Sequence, residues 1–351
     1  MKECRVKDIC IKGSSNLKQK DVEGKKGLYP VYGASGIISS IDTYHQENEY
    51  IAIVKDGSGI GRVSFMPPKS SVIGTMQYIL PKEGYDIRYI GYCLQSLGLN
   101  KYKQGAAIPH IYFRDYGERN IVVSENINEQ RRIVSYLDSS FKLIDEIKNK
   151  ALKSLTEAKA LFQSALAEAM EPKEGTVMER IGDVFTTYAG GTPLKSQKDY
   201  YEGGEIPWLR SGEVCKKYIS ETELYITQKG MDNSSAKFYP ENTVVVAMYG
   251  ATAAQVGILK IKATSNQAVC GIIPHKDFIP EYVYYWFLFL QDDLASQAQG
   301  GAQPNISQIK IKNVLIPIIN KEEQKRIVSH LDKLSSKVRA IEEKYQKMVE
   351  E

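Results

Sequence analysis

The sequence has few of the residues that metal, redox and membrane proteins need. Its five cysteines and four histidines show none of the CxxC or HxxxH spacings at which metal ligands recur. Its longest apolar run, YVYYWFLFL at 282–290, covers about nine residues, far fewer than the roughly 20 of a bilayer-spanning helix. The first residues also have no apolar signal core. We therefore expect a cytoplasmic protein with reduced thiols, no bound metal and no membrane association.

The sequence also has little net charge. Among 351 residues, 46 basic and 42 acidic residues leave +4 at pH 7. Nucleic-acid-binding domains commonly carry a larger basic excess, so this balance does not by itself predict a DNA partner. With 42% hydrophobic residues, the chain is typical of a folded protein long enough for two domains.

What the chain does contain is an internal repeat. The segment EQRRIVSYLD at 129–138 returns as EQKRIVSHLD at 323–332, an offset of 194 residues. Three further pairs of segments resemble each other: CRVKDI and ERIGDV at 4–9 and 179–184, RYIGYCL and EYVYYWF at 88–94 and 281–287, and GAAIPHI and GAQPNI at 105–111 and 301–306. Such repetition indicates a duplicated unit. Because the ends are similar and the middles have diverged, we expect one chain that reads two related but unlike targets.

Each module closes with a helix that carries a coiled-coil seam. Apolar residues alternate at spacings of four and three over 137–169, broken only at Lys148, and again over 327–348. The first helix, at 128–170, has 43 residues and a length of roughly 65 Å. Because so long a helix is not stable alone in water, we expect the two seams to pack as an antiparallel pair. The second helix is shorter, which leaves part of the first seam for another partner.

The stretches between these helices are typical of mixed domains with short strands. YIAIVKDGSGIGRVSF at 50–65 predicts two strands around a glycine-rich turn, and TVVVAMYGATAAQVGILKI at 243–261 predicts its counterpart. RYIGYCLQSL and YVYYWFLFLQDDL predict buried helices near the module ends. The predicted fold class is α/β (α+β), with two similar domains joined by a long antiparallel two-helix coiled coil and related by a pseudo-twofold internal repeat.

No motif of a self-contained enzyme is present. KDGSGIGR at 55–62 lacks the third glycine and the following helix of a dinucleotide-binding loop, so a strand-connecting loop fits it better. Asp8, Glu23 and Lys25 imitate the acidic and basic set of a Mg²⁺-dependent nuclease, but the matching stretch of the second module has no lysine. A DNA methyltransferase requires an Asn/Asp-Pro-Pro-aromatic motif, and MPPK at 66–69 has different flanks. We expect a non-catalytic chain.

Several loops instead carry polar residues suited to DNA. Arginine, glutamine and asparagine hydrogen-bond base edges, whereas lysine and main-chain N–H groups hold phosphates. Such residues recur in corresponding loops of both modules, which favours recognition over ordinary solvated loops. The predicted DNA-binding residues are Lys55, Ser58, Arg62, Gln77, Lys101, Lys103 and His110 in the first module, and Lys195, Lys198, Arg210, Tyr249, Thr252, Gln267, Gln303 and Asn305 in the second.

These segments resemble the specificity subunit of type I restriction-modification systems. The resemblance rests on ERIGDVFTTYAGGTP, YYEGGEIPWLRSGEV, GATAAQVGI with SNQA, and GGAQPNISQIKIKNVLIPI in the second module, and on the closing EQ[RK]RIV segment of both. The first module matches more loosely, with KGSSNLK where the second has AGGTPLK. The resemblance implies target-recognition domains at 1–125 and 173–320, a central conserved helix at 126–172 and a distal conserved helix at 321–351.

The same resemblance implies how such a chain works. Each domain binds one half of a split, asymmetric double-stranded DNA target, and the helical pair sets the spacer. Two modification (methyltransferase) subunits dock on this scaffold and methylate a flipped adenine with S-adenosylmethionine. Restriction subunits, where present, add translocation and cleavage that use ATP and Mg²⁺. Two alternatives stay open: the recognition subunit of a non-cleaving defence methyltransferase, and a coiled-coil scaffold that binds protein.

Overall fold

The chain divides into two compact units, Met1–Ile147 and Lys148–Glu351. The structure, a computed structural model, describes residues 1–105, 109–297 and 305–350. The boundary between the units falls inside the long central helix, so this helix contributes to both units instead of forming a separate body.

The first unit combines short strands with short helices. Its strands are β1 (Lys2–Arg5), β2 (Cys10–Ser14), β3 (Tyr29–Gly33), β4 (Gly36–Ile41), β5 (Tyr50–Val54), β6 (Val63–Met66), β7 (Ser71–Val72), β8 (Met76–Pro81) and β9 (Asn120–Val123). Its helices are α1 (Val6–Ile9), α2 (Gln19–Val22), α3 (Ile87–Ser96), α4 (Phe113–Gly117) and the first part of α5 (Ile127–Met170), with a 3-10 helix at Leu99–Tyr102. The strands form sheets ordered β2-β8-β5-β6 and β4-β3-β7. β1 pairs antiparallel with β9, which brings the start of the domain to the segment before α5.

The central strand β5 is buried on both faces. Ile51 and Ile53 belong to the core that α3 covers, whereas Tyr50, Ala52 and Val54 belong to a second core on the opposite face. Successive side chains of a strand point to opposite faces, so a strand between two cores is apolar at every position. This explains the uninterrupted run YIAIV and confirms the predicted strand.

The second unit repeats this plan. Its strands are β10 (Met178–Arg180), β11 (Thr187–Ala189), β12 (Ile206–Leu209), β13 (Tyr218–Ile219), β14 (Leu224–Ile226), β15 (Val244–Ala247), β16 (Val256–Leu259), β17 (Thr264–Ser265), β18 (Val269–Ile272) and β19 (Leu315–Pro317). Its helices are α6 (Ile181–Val184), α7 (Gln228–Asp232), α8 (Pro280–Phe289), α9 (Gln291–Ser296), α10 (Gln308–Asn313) and α11 (Lys321–Glu350), with 3-10 helices at Lys198–Tyr200, Ser211–Glu213 and Gly250–Thr252. The sheets are ordered β11-β18-β15-β16-β13 and β14-β12-β17.

β15 corresponds to β5 in its burial. Val244 and Val246 belong to the core with α8, and Val245 and Ala247 belong to a second core. β10 also pairs antiparallel with β19, as β1 does with β9. The predicted buried helices are confirmed as α3 and as α8 with α9.

Within the second unit, the later part of α5 packs against α11. Lys159 Nζ lies 2.6 Å from Glu342 Oε1, and Lys173 Nζ, just beyond α5, lies 3.9 Å from Glu323 Oε1. The two helices therefore run antiparallel. Leu166 joins the buried core of this unit together with α11. The predicted antiparallel pairing is confirmed for this part of the helices.

The earlier part of the seam is uncovered. Phe141, Leu143, Ile144 and Ile147 are 47%, 57%, 45% and 45% exposed. α11 has 30 residues against the 44 of α5. This exposure agrees with the expectation that the shorter second helix leaves part of the first seam for another partner.

The glutamine of the repeated EQ segment docks the closing helix onto its domain. Gln130 is fully buried, and its Oε1 accepts a hydrogen bond from the Asp86 N–H at 2.7 Å. Its Nε2 donates to the carbonyl oxygens of Ser124, at 2.8 Å, and Gly84, at 3.2 Å. The Asp86 side chain in turn caps α3, so one amide joins α3, α5 and the segment between them.

Gln324 repeats these contacts in the second unit. It is fully buried and accepts from the Ile279 N–H, at the start of α8, at 2.8 Å. It donates to the carbonyl oxygens of Asp277, at 2.9 Å, and Ile319, at 3.0 Å. The sequence repeat is thus a repeat of hydrogen bonds.

The aspartates that end the two motifs also have matching partners. Asp138 accepts from Arg88 at 2.7 Å and from the Tyr92 hydroxyl on α3. Asp332 accepts from the Tyr285 hydroxyl on α8 at 2.5 Å and from the Lys217 ammonium. Each carboxylate ties a closing helix to the helix beneath it.

Candidate nucleic-acid interface

In the second unit, the loops that the sequence singled out meet at one end of the sheets. The Asn266 N–H donates to the Leu209 carbonyl at 2.9 Å, which places SNQA beside PWLR. The Met248 N–H donates to Ala268 at 2.7 Å, and the Ile306 N–H donates to Met248 at 2.8 Å. These backbone bonds join four segments into one continuous surface: PWLR, SNQA, the segment after β15 and the segment before α10.

The glycine pair of GGTP is required for the same assembly. A Cβ at Gly190 would lie 2.2 Å from the Ser265 carbonyl oxygen, and one at Gly191 would lie 2.3 Å from the Ala236 nitrogen. Only glycine permits this approach. The following Thr192 hydroxyl donates to the Gln267 amide oxygen, so this loop joins the surface as well.

The predicted residues of the second unit have different surroundings. Tyr249 and Asn305 form an isolated β-bridge, and the Thr252 hydroxyl donates to the Tyr249 carbonyl at 3.4 Å. Gln267 is exposed at the same surface. Lys195 and Lys198 are exposed; Lys195 lies in the segment before the 3-10 helix Lys198–Tyr200, and Lys198 begins that helix. Gln303 lies outside the described residues.

Arg210 is already paired with acidic residues. Its Nε lies 3.4 Å from Glu213 Oε1, and its Nη2 donates to Glu223. A guanidinium held by two carboxylates has fewer donors for a base edge, which weakens the case for Arg210 as a guanine reader.

The first unit brings its predicted loops together in the same way. The Lys55 N–H donates to Thr75 at 2.9 Å, and the Ile111 N–H donates to Lys55 at 2.9 Å. His110 Nδ1 lies 2.6 Å from Asp56 Oδ1, and the two residues form an isolated bridge. Residues from three separate loops therefore surround one point.

The glycine-rich loop is a hairpin connection between β5 and β6. Gly57, Gly59 and Gly61 have φ of +86°, +85° and +80°, which only glycine adopts readily. The alternating glycines thus serve the turn, as the strand-connecting interpretation predicted. Exposed Ser58 lies in this loop, and Arg62 at its end donates to the Ala34 carbonyl at 2.9 Å.

Lys101 and Lys103 are exposed beside this loop. Lys101 lies in the 3-10 helix Leu99–Tyr102, and Lys103 follows it. A Cβ at Gly61 would lie 2.5 Å from the Asn100 nitrogen, so the helix and the loop are in close contact. The segment that carries both lysines is therefore next to the glycine-rich loop.

A basic groove lies next to this surface. It has a volume of about 520 Å³, and Lys55 and Gln77, two predicted residues, help to line it. Gln77 is only 6% exposed. The other lining residues are Lys12, Gly13, Ser14, Tyr112, Phe113 and Arg114.

Sequence reasoning missed Lys12 and Arg114 in this groove. No acidic residue lines it among the described residues, so three cations share one concave wall. Lys12 lies on β2 and Arg114 on α4, outside the polar loops that the sequence indicated. Arg114 is the third residue after the GAAIPHI repeat segment, and this proximity is the signal that could have found it.

The described parts of the chain contain no cluster of metal-ligating side chains. Within residues 1–105, 109–297 and 305–350, no three His, Cys, Asp or Glu side chains are grouped to hold a metal ion. In the same ranges, no helix has both the length and the apolar character of a membrane span. The chemistry of the two surfaces is that of hydrogen bonding and charge.

Together these features define a protein of two related α/β domains, each closed by a helix with the same docking residues and each presenting polar loops at one end. The chain belongs to the family described as the Type I restriction modification DNA specificity domain, whose family model matches residues 1–157 and 173–351. The two matched ranges correspond to the two modules, so the predicted duplication is confirmed.

Curated relatives have the same family name. The chain is 26% identical over 269 residues to the type I restriction enzyme EcoR124I/EcoR124II specificity subunit of Escherichia coli, which covers 73% of this chain and 65% of that relative. It is 32% identical over 165 residues to the MjaIX specificity subunit of Methanocaldococcus jannaschii, with 46% and 38% covered. The chain thus spans between 38% and 65% of the length of these relatives.

Solved structures share the fold. A chain from a study of complex assembly and conformational transition of the type I R-M system aligns with a TM-score of 0.77 and 17% identity, over 99% of this chain and 94% of that one. The HsdS subunit of Thermoanaerobacter tengcongensis aligns with a TM-score of 0.62 and 17% identity, over 99% and 93%. These similarities confirm the predicted fold class.

Proposed function

We propose that the chain is the DNA-specificity subunit of a type I restriction-modification complex, in which each unit reads one half of a split double-stranded target. The observation that carries this proposal is the pair of loop surfaces. Each is built on the same backbone frame, and each carries different polar side chains. The basic groove beside His110 supports a phosphate contact in the first unit, since lysine and arginine are the usual phosphate ligands.

The partners in this proposal are two modification subunits and, where present, restriction subunits. The modification subunits supply methyl transfer with S-adenosylmethionine, and the restriction subunits use ATP and Mg²⁺. This chain itself supplies the address and the assembly and performs no catalysis. The complex works on DNA in the cytoplasm.

The helices have two roles in the proposal. The continuous helix α5 sets the length of the unspecified spacer between the half-sites, which its 44 residues support. Its exposed apolar stretch around Phe141 and Ile144 supports docking of a modification subunit, because apolar side chains of this size are otherwise costly to leave in water.

Methylome sequencing tests the proposal. The full chain is expressed with the modification subunit encoded beside it, in a host that lacks other DNA methyltransferases. We expect one methylated sequence made of two fixed halves and an unspecified spacer. Methylation without a split motif would contradict the proposal. If the modification subunit methylates the same motif equally well without this chain, the alternative of a protein-binding scaffold is favoured.

Cleavage of unmodified DNA distinguishes a restriction-modification complex from a non-cleaving defence methyltransferase. If host cells carrying the complex cut unmodified DNA that contains the motif, the chain serves a restriction system. Methylation without any cutting favours the non-cleaving defence methyltransferase.

A further inference from the structure

The two units present a matched pair of side chains at the same place. In the first unit, Asp56 and His110 bridge where the end of β5 meets the segment before Ile111. In the second, Tyr249 and Asn305 bridge where the end of β15 meets the segment before Ile306. The two bridges suggest one shared position with two different chemistries.

Backbone bonds confirm that the positions correspond. The Ile111 N–H donates to the Lys55 carbonyl at 2.9 Å, and the Ile306 N–H donates to the Met248 carbonyl at 2.8 Å. On the other side of each strand end, the N–H of Lys55 donates to Thr75 at 2.9 Å and that of Met248 donates to Ala268 at 2.7 Å. Asp56 and Tyr249 therefore leave the same frame, as do His110 and Asn305.

The turns that follow also match. The Gly61 N–H donates to the Val54 carbonyl at 2.8 Å, and the Ala254 N–H donates to the Ala247 carbonyl at 2.9 Å. Gly61 and Ala254 both have positive φ, +80° and +70°. Positive φ is uncommon for a non-glycine residue such as Ala254. Because Ala254 has it at the position that corresponds to Gly61, the two turns share one backbone conformation and differ in side chain.

We propose that residues 56 and 110 in the first unit and residues 249 and 305 in the second are equivalent specificity pairs, which read one base at the corresponding position of each half-site. This inference rests on the proposed function. It goes beyond it by naming which residues set the difference between the halves and what each recognises.

The two pairs recognise different base edges. Because an ionised Asp56 only accepts, the hydrogen bond at its Oδ1 places a proton on His110 Nδ1, and in that neutral tautomer Nε2 is the acceptor. No described residue hydrogen-bonds this Nε2. In the major groove it fits an exocyclic amine, N6 of adenine or N4 of cytosine. The exposed Asn305 amide offers a donor and an acceptor together, which fits N6 and N7 of adenine.

The surroundings of His110 hold the ring in place for this role. Its ring stacks on Tyr112 with centroids 6.1 Å apart and an interplanar angle of 25°. Its side chain is 38% exposed, so one edge is open to a ligand. Lys55 Nζ lies 3.9 Å from Asp56 Oδ2 and lines the adjoining basic groove, which positions a DNA backbone beside the reader.

The test uses the full chain in complex with its modification subunit and measures methylation of every single-base variant of the motif. His110→Phe keeps the ring and removes the acceptor, and Asn305→Leu keeps the shape and removes the amide. We expect each to relax one position of its own half-site by about 5- to 150-fold, as a lost base contact does, and to leave the other half and the spacer unchanged.

Two further variants complete the test. His110→Gln supplies an amide oxygen as acceptor and is expected to restore the preference that His110→Phe loses. Lys82→Ala, at an exposed position just after β8 and at the end of that strand away from Thr75, is expected to keep the motif. Because each unit carries its own variant, failure of one to assemble leaves the other decisive.

The outcomes separate the inference from the function beneath it. If the wild-type complex methylates no split motif, the proposed function fails. If it does, but His110→Phe and Asn305→Leu methylate the wild-type motif with wild-type selectivity, only the specificity pairs are overturned. Relaxation in the wrong half-site also overturns them.

Discussion

The buried glutamines of the repeated EQ segments permit a sharp prediction. Gln130→Met and Gln324→Met keep the side-chain volume and remove every polar atom of the amide. In the first unit, this leaves the Asp86 N–H and the carbonyl oxygens of Ser124 and Gly84 without their partners. Each unpaired buried group costs about 1–3 kcal/mol. Because the carbonyls become partly hydrated, the substitution is expected to lower the free energy of unfolding of that unit by about 3–5 kcal/mol. Since whole domains are stable by about 5–15 kcal/mol, the affected unit loses a large share of its free energy of unfolding.

Hydrogen exchange locates this cost, because two units need not unfold together. Gln130→Met is expected to speed exchange in α3, and Gln324→Met is expected to speed it in α8, each without effect on the other unit. Gln228→Met is the matched control, since the exposed Gln228 donates only to Asp232 one turn away. Equal protection in all three variants, or a loss below about 1 kcal/mol at the buried positions, would refute the docking role.

Three further predictions follow from the charges and the helices. Lys12→Ala is expected to weaken DNA binding by the complex and to lower the slope of log affinity against log salt by about 0.9. The control Lys153→Ala, on α5, is expected to change neither the affinity nor the slope. Equal slopes in the two variants contradict the groove as a phosphate contact. Burial alone would raise the pKa of Asp138, but hydrogen bonds from Arg88 and Tyr92 outweigh it and hold that pKa below its usual value. The stability advantage over Asp138→Asn is therefore present above about pH 4 and lost as the pH falls through the folded-state pKa; urea midpoints that differ equally from pH 7 to pH 3 contradict this. Four residues inserted after Ala158 add about 6 Å and little more than one turn, so the methylated motif is expected to gain spacer and keep both halves, and an unchanged spacer refutes the helix as its determinant.

Periodicity and repetition predicted the parts of the fold that depend on local pattern. The strands around Ile51 and Val245, the helices α3 and α8, and the long helices all carry their period in the sequence. The roles of Gln130 and Asp138 were not predictable in this way, because their partners lie 44 and 50 residues earlier in the chain. The motif was recognised, but its contacts depend on how the chain returns to α3.

The candidate interface was predictable as loops but not as side chains. The sequence indicated which loops carry polar residues, and the structure brings them together in each unit. The sequence could not show that Arg210 is paired with both Glu213 and Glu223, because Glu223 lies in another loop, between β13 and β14. Nor could the sequence place Lys12, because β2 reaches the groove by pairing with β8, which carries Gln77 and lies far along the chain.

The duplication separates stability from recognition, and this accounts for which residues repeat. Gln130 and Gln324, which hold helix to domain, are identical because any replacement leaves buried backbone groups unpaired. His110 and Asn305 share a frame made of main-chain bonds, which any side chain can use, so they are free to differ. A net charge of only +4 fits the same division. In the first unit, Lys12, Lys55 and Arg114 line one groove, so a locally basic surface exists without a large overall charge.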